Sequence, residues 1–447
     1  MKIHQFYDMG LSHAGYGIIS DNEMAVIDPG RDPQPYYDFA KQHNATIRII
    51  IETHPHADFI SSHAEMATTT GAIIYVSKLL GADYLHQTFD DGDHIVLGKI
   101  ILKALNTPGH SPDSISVLLV DEKGSDHALF TGDTLFVGDV GRPDLRENVG
   151  NIAASRMELA KAMYNTTRTV LIPLNDDVLV YPAHGPGSLC GKTTSPDLFT
   201  TMGREKRENY ALQPMDESSF VTVLLEDQPF VPKYFEFDVI TNKRGASALE
   251  ESIKNVPRLA ADSELDSHNL IIDTRPGAQF KKAHLRGSIN IQQALKFETW
   301  LGSIVGPGER FYLIAENDEE LESVIRKTAK IGYERNIKGA LLAPSTMKDQ
   351  TPQFDASNLL DHVNDYTIVD VRNRGEAEQV IFENSINIPL PELRERVKEI
   401  PLDKPILVHC AAGYRSAAGS SIIEKETGIT ALDLGEAIKN FSFSTSK

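Results

Sequence analysis

The feature that most limits what this chain can fold into is an internal duplication in its second half. The segment HNLIIDTRPGAQF followed by GSINI, beginning at His268, returns as DYTIVDVRNRGEA followed by NSINIPL, beginning at Asp365. The spacing returns with the letters: Asp273 precedes Asn290 by 17 residues, and Asp370 precedes Asn387 by 17. Each copy continues with an apolar run (311–315, 406–409) and a helix-like segment (318–331, 415–425). Strand–helix alternation at this pitch predicts, in each copy, a parallel sheet wrapped by helices, about 100 residues in size.

The stretch ahead of the duplication follows another pattern. Short apolar runs at 47–51, 73–76, 100–105, 115–120, 128–130 and 178–181 read as buried strands, with helices at 59–69 and 151–164. A polar segment at 204–215, followed by Pro229 and Pro232, reads as the way out of this region. The expected organisation is therefore α/β and multidomain: 1–240, then 241–347 and 348–447 for the two copies.

Composition removes several classes of partner. With 63 acidic against 44 basic residues the formal charge is −19, a surface that repels phosphate backbones and acidic lipid, so neither nucleic acid nor membrane is expected as a partner. No apolar run approaches the roughly 18 residues of a membrane span. The opening MKIHQFYDMGLSHAG lacks the basic-then-apolar pattern of a secretory signal. Two cysteines, Cys190 and Cys410, cannot make a disulfide framework, and a reducing cytoplasm is the expected location.

Four chemistry-bearing segments stand where predicted strands run out. Thr53-His54-Pro55-His56-Ala57-Asp58 follows 47–51, Thr107-Pro108-Gly109-His110 follows 100–105, Asp133 follows 128–130, and His184 follows 178–181. Strand ends converge on one edge of a sheet, so these groups point to a shared metal site. A further cysteine signal lies at the far end. Cys410-Ala411-Ala412-Gly413-Tyr414-Arg415-Ser416 joins a strand to a helix. Such a loop aims backbone N–H groups, a helix N-terminus and the Arg415 cation at the Cys410 sulfur, stabilising a thiolate and then an S-sulfanyl group. The loop is one residue shorter between Cys and Arg than a phosphatase cradle, which favours a single sulfur atom. The first copy has Glu316-Asn317-Asp318 in that place and no cysteine.

THPHAD, TPGHS, TGDTLF and YPAHG resemble the signature segments of the metallo-β-lactamase fold, an αββα sandwich, over the whole first region. The Cys410 loop, with DVR at 370–372 and SINIPL, resembles the active loop of a rhodanese sulfurtransferase, and the first copy resembles a degenerate rhodanese domain. Together the chain is similar to persulfide dioxygenase–rhodanese fusions. Most hydrolases of the fold hold two metals and place a His after the motif's Asp; here that position is Phe59, so one metal is expected. The resemblance implies one Fe(II) per chain held by His54, His110 and Asp133, with His56, Asp58 and His184 as partners around it. Two imidazoles and a carboxylate form the facial triad of non-haem iron oxygenases. Ligation by His56 as well would make the site more like a zinc hydrolase, and spacing fits either. Arg142 and Asp144, in a loop matching that branch, are expected to brace the site, and Cys190 to hold persulfide or sulfite beside the iron.

The activity this implies has two halves. A low-molecular-weight thiol persulfide is oxidised by O2 to sulfite, and Cys410 passes sulfane sulfur to sulfite, giving thiosulfate, as in sulfide detoxification. A homo-oligomer is carried over from the family. Two other readings are a glyoxalase II-type thioester hydrolase with an accessory sulfurtransferase domain, and a sulfur-relay or scaffold protein in which only the Cys410 loop works.

Overall fold

A computed structural model describes residues 1–145, 155–192 and 195–441. It divides into two compact units: Met1–Ser252 with Ala329–Gly332, and Ile253–Thr328 with Tyr333–Lys447.

The first unit is built on two six-stranded sheets. One runs, in spatial order, Lys2–Asp8, His13–Ser20, Glu23–Ile27, Thr46–Ile51, Ile73–Val76 and Gln87–Thr88. The other runs Thr200–Thr201, Leu179–Pro182, Asp126–Gly132, Ile115–Val120, Ile100–Asn106 and His94–Leu97. Alternate side chains explain the layering. Tyr16, Ile18, Ile49 and Ile51 of the first sheet share a core with Leu102, Val117, Leu119 and Phe130 of the second. The opposite faces, carrying Val26, Ile47 and Ile50 on one side and Leu118, Leu129 and Val180 on the other, pack against helices through Phe39 and Met66, and through Met163 and Phe220. Strands buried on both faces lose the polar alternation, which is why Ile115–Val120 reads as an almost unbroken apolar run.

Two expectations need correction here. The helix expected from residue 59 begins at His63. Residues 59–62 are instead tied down as a loop, with Ser61 N donating to Asn242 Oδ1 (2.9 Å) and Asn242 Nδ2 donating to Phe59 O (2.7 Å). The polar stretch expected to lead out of the region is part of it: helices Met202–Glu208 and Glu217–Leu225 bury Met202, Phe220 and Leu224 in the outer core. The helix Phe235–Arg244 likewise carries the first unit past residue 240, through Asn242. Of the helix expected at 151–164, residues 151–154 lie outside the described residues, and the described part runs Arg156–Thr166 behind a Ser155–Glu158 capping box.

In the second unit each copy forms a four-stranded parallel sheet. The duplicated letters have duplicated jobs. Arg275 pairs with Asp273 and Arg372 with Asp370, each with a shortest contact of 2.6 Å. Asn290 Nδ2 donates to the carbonyls of Asp273 and Arg275 at 3.0 and 2.9 Å, and Asn387 Nδ2 to those of Asp370 and Arg372 at the same distances. The 17-residue spacing is thus the length of chain needed to bring the Asn back under the Asp-x-Arg turn. Among the described residues no helix is long and apolar enough to cross a membrane.

Candidate metal centre and sulfur loop

The candidate metal residues hang from strand ends of both sheets of the first unit. Strands Asp126–Gly132 and Leu179–Pro182 pair in parallel with Gly132 opposite Pro182, so Asp133 and His184 leave at the same edge. Ile115 N donates to Thr53 O (2.9 Å) and brings in the loop of the other sheet. That approach requires Gly132, whose φ is +52° and where an added Cβ would lie 2.4 Å from Thr53 Oγ1.

The structure brings His54, His110 and Asp133 together, fully buried, with ligand atoms all within 4.8 Å of one another. Hydrogen bonds set both imidazoles. Thr53 Oγ1 donates its only proton to Asp28 Oδ2 (2.8 Å), so at 3.0 Å it accepts from His54 Nδ1. His110 Nδ1 donates to Arg142 O at 2.8 Å. The two Nε2 atoms lie 3.6 and 3.5 Å from Asp133 Oδ2. Burial, and then His56, hold His54 well below the ordinary histidine range, hence neutral. Burial would raise the Asp133 carboxyl, but His184, His54 and His110 outweigh it and keep it ionised. Asp133 Oδ1 is taken by His184 Nδ1 (2.6 Å), whereas Oδ2 has no hydrogen-bond partner. Two imidazoles and one buried carboxylate oxygen without a donor fit a divalent cation.

The other candidates lie around this trio. His184 Nε2 is 2.8 Å from Asp58 Oδ2, so the imidazole spans two carboxylates. Burial lowers its pKa, yet Asp133 and Asp58 drive it well above the ordinary value. His56 belongs to a separate buried group: its Nε2 is 3.1 Å from Asp28 Oδ1 and 3.9 Å from Glu52 Oε2. Phe59 packs at a tilt against His13 and His56, with ring centroids 3.9 and 4.4 Å away. Arg142 is buried, forms a two-pronged salt bridge with Asp144 (2.7 Å each) and donates to Leu189 O (3.1 Å). Its backbone N also donates to Cys190 O at 2.9 Å, so one residue ties the His110 and Cys190 loops together. Cys190 groups with Asp58 and His184. Burial, then Asp58 and Asp133, push its thiol well above the ordinary value.

Asp28, Thr53, Glu52, Ser61 and His63 were not singled out from the sequence. Ser61 Oγ donates to Glu52 Oε1 (2.7 Å), His63 Nδ1 lies 3.5 Å from the same oxygen, and burial raises Glu52 to about 8. The available signal was Asp28-Pro29-Gly30 directly after a strand, with Asp28 at φ +48°. Replacing Thr53 by Val keeps its shape and removes the link from Asp28 to His54. Metal affinity is expected to fall by about 10–100-fold, read by chelator competition; an unchanged affinity would remove Thr53 from the assembly.

The sulfur loop lies in the second unit. Strand Ile406–His409 ends at buried Cys410, and the helix Tyr414–Thr427 starts behind Gly413. Gly413 N donates to Cys410 Sγ at 3.1 Å, and the thiol faces Ser416 Oγ at 3.7 Å. Ala411 and Ala412 form the exposed bend between them. The expected approach of Arg415 to the sulfur is modified: its guanidinium is held by Glu376 in a bidentate pair at 2.5 and 2.6 Å. Tyr414 OH donates to Gln292 O (2.8 Å), a contact supplied by the cysteine-free copy. At φ +96°, Gly413 would place a Cβ 2.8 Å from the Gly435 carbonyl carbon and 2.9 Å from Glu436 N. Gly413→Ala should therefore destabilise the second unit by about 1–2 kcal/mol or more, seen as an earlier melting transition, with loss of sulfur transfer.

Comparison with known proteins follows this division. Residues 13–184 match the metallo-beta-lactamase superfamily and residues 355–441 match the rhodanese-like domain. A solved metallo-beta-lactamase from Staphylococcus aureus subsp. aureus COL is 32% identical, with a TM-score of 0.68 over 76% of this chain and 99% of its own. The human mitochondrial persulfide dioxygenase is 30% identical over 36% of this chain, and the match spans 59% of that relative's length. A hydroxyacylglutathione hydrolase of Haemophilus influenzae is 26% identical over 43% of this chain and 89% of its own. With the αββα sandwich, the strand-end ligands and the Cys410 loop in place, the chain belongs to the metallo-β-lactamase superfamily and carries a rhodanese-like domain at its C-terminal end.

Proposed function

We propose that this chain oxidises a low-molecular-weight thiol persulfide with O2 at one ferrous centre held by His54, His110 and Asp133, and passes sulfane sulfur to sulfite at Cys410. In the first half-reaction a persulfide, one O2 and one water give the free thiol, sulfite and two protons. When bound, ferrous iron supplies redox chemistry that zinc lacks, with positions left open by a three-residue ligand set.

The observation that supports this reading over a dinuclear hydrolase is Phe59, a side chain that ligates nothing, packed against His13 and His56 where hydrolases of the fold place a further histidine. Asp58, His184 and Cys190 form a second buried group of possible ligands, in which Asp58 lies 2.8 Å from His184. His184 meets Asp133 through Nδ1 and Asp58 through Nε2, so the imidazole ties the metal trio to the neighbouring carboxylate. Cys190, kept protonated, offers a weak S–H donor on the same side. In the second unit, Gly413 N–H steadies negative charge on Cys410 sulfur before and after loading.

The thioester-hydrolase reading is favoured by the hydroxyacylglutathione hydrolase relative. Metal analysis of anaerobically purified protein, with oxygen-electrode assays on several persulfides, separates the two. One iron per chain with O2 uptake supports the proposal; two zinc ions with thioester hydrolysis and no O2 uptake overturns it.

A further inference from the structure

The Arg415 guanidinium is the cation of the Cys410 loop, yet a carboxylate already occupies it. Glu376 Oε2 and Oε1 accept from Arg415 Nη1 and Nη2 at 2.5 and 2.6 Å, and the pair is partly covered, with Arg415 side-chain exposure at 13%. Glu376 is itself fixed by its own helix start, accepting from Asn373 N at 3.1 Å. On a further side stands Trp300 of the cysteine-free copy, with the guanidinium carbon 5.7 Å from its ring centroid. Arg415 is therefore held by a partner from each copy, and an incoming anion meets the Glu376 negative charge beside the cation it seeks.

We propose that Glu376 is a specificity-determining residue of the Cys410 site, penalising dianionic sulfur species relative to singly charged or neutral ones. The inference rests on sulfur transfer at Cys410. In the step concerned, the sulfite sulfur attacks the outer sulfur of Cys410–S–S⁻. A new S–S bond forms, the bond to Sγ breaks with its electron pair, and thiosulfate departs from a Cys410 thiolate. In reverse, the thiolate takes the outer sulfur of thiosulfate and sulfite leaves. Both small species carry two charges, and a thiol persulfide anion carries one, so a fixed carboxylate at the rim weighs on the former about twice as heavily.

The test compares wild type, Glu376→Gln and Glu376→Asp in the full chain. Glu376→Gln keeps an acceptor for Asn373 N and Arg415 but removes the charge; its KM for thiosulfate should fall about tenfold, and that for a thiol persulfide donor by less than about threefold, with kcat little changed. Glu376→Asp keeps the charge and should keep the wild-type preference. Trp300 is the chain's single tryptophan, so its emission during sulfite titration gives an independent binding readout, expected to shift to lower concentration in Glu376→Gln. An unchanged KM ratio, or a fall in kcat alone, overturns the inference. Mass measurement of sulfur on Cys410 separates this from the underlying reading: if wild type never gains a sulfur atom, sulfur transfer itself fails; if all variants load with equal preference, only the role of Glu376 fails.

Discussion

Asp133→Ala protein is expected to retain less than about a tenth of the wild-type iron and to consume O2 with a thiol persulfide at least about a thousandfold more slowly. The size of the effect follows from the donor set. His54 and His110 present imidazole nitrogens, and Asp133 supplies the only carboxylate in the trio. Without it two imidazoles remain, and they hang from loops of different sheets. Asp133 also anchors His184 Nδ1 at 2.6 Å, so its loss leaves an imidazolium facing Asp58 alone. Sulfur loading on Cys410 in the same variant should be unaffected, which guards against general misfolding. Normal iron content with normal O2 uptake would show that the trio is not the metal site.

Cys410→Ser should abolish thiosulfate formation, by at least about a thousandfold, while O2 uptake stays within about twofold of wild type. A serine hydroxyl can occupy the space beside Gly413 N and Ser416 Oγ, but it cannot form or release an S–S bond at neutral pH. Sulfite should then accumulate as the end product of persulfide oxidation. Equal loss of both activities would contradict the assignment of one half-reaction to each site.

The parts of this molecule that could be read from its letters are those where a single local pattern suffices. Strands 115–120, 311–315 and 406–409 match the structure residue for residue, because burial on both faces makes each a compact apolar run; 73–76 matches as well, although its outer face is exposed. The strand-end histidines were visible because they follow such runs. The N-terminal strands Lys2–Asp8 and His13–Ser20 were not, since their half-exposed or glycine-broken patterns lack that signal. Asp28 escaped because Asp-Pro-Gly reads as an ordinary turn, and its use, receiving Thr53 N and Oγ1, depends on a partner 25 residues away. The same holds for Glu376 and Gln292 around the sulfur loop, 39 and 122 residues from the groups they hold. The direction of His56 depended on which of two neighbours, metal or Asp28, its Nε2 would meet, and only three-dimensional packing decides that.

The aromatic ring at position 59 has a consequence for attempts to redesign the site. It lies tilted against two histidines in a filled interior, and Asp58 is paired with His184. A histidine introduced at position 59 would thus remove a ring from a packed nest of side chains. Grafting a new ligand there is therefore a repacking problem before it is a coordination problem.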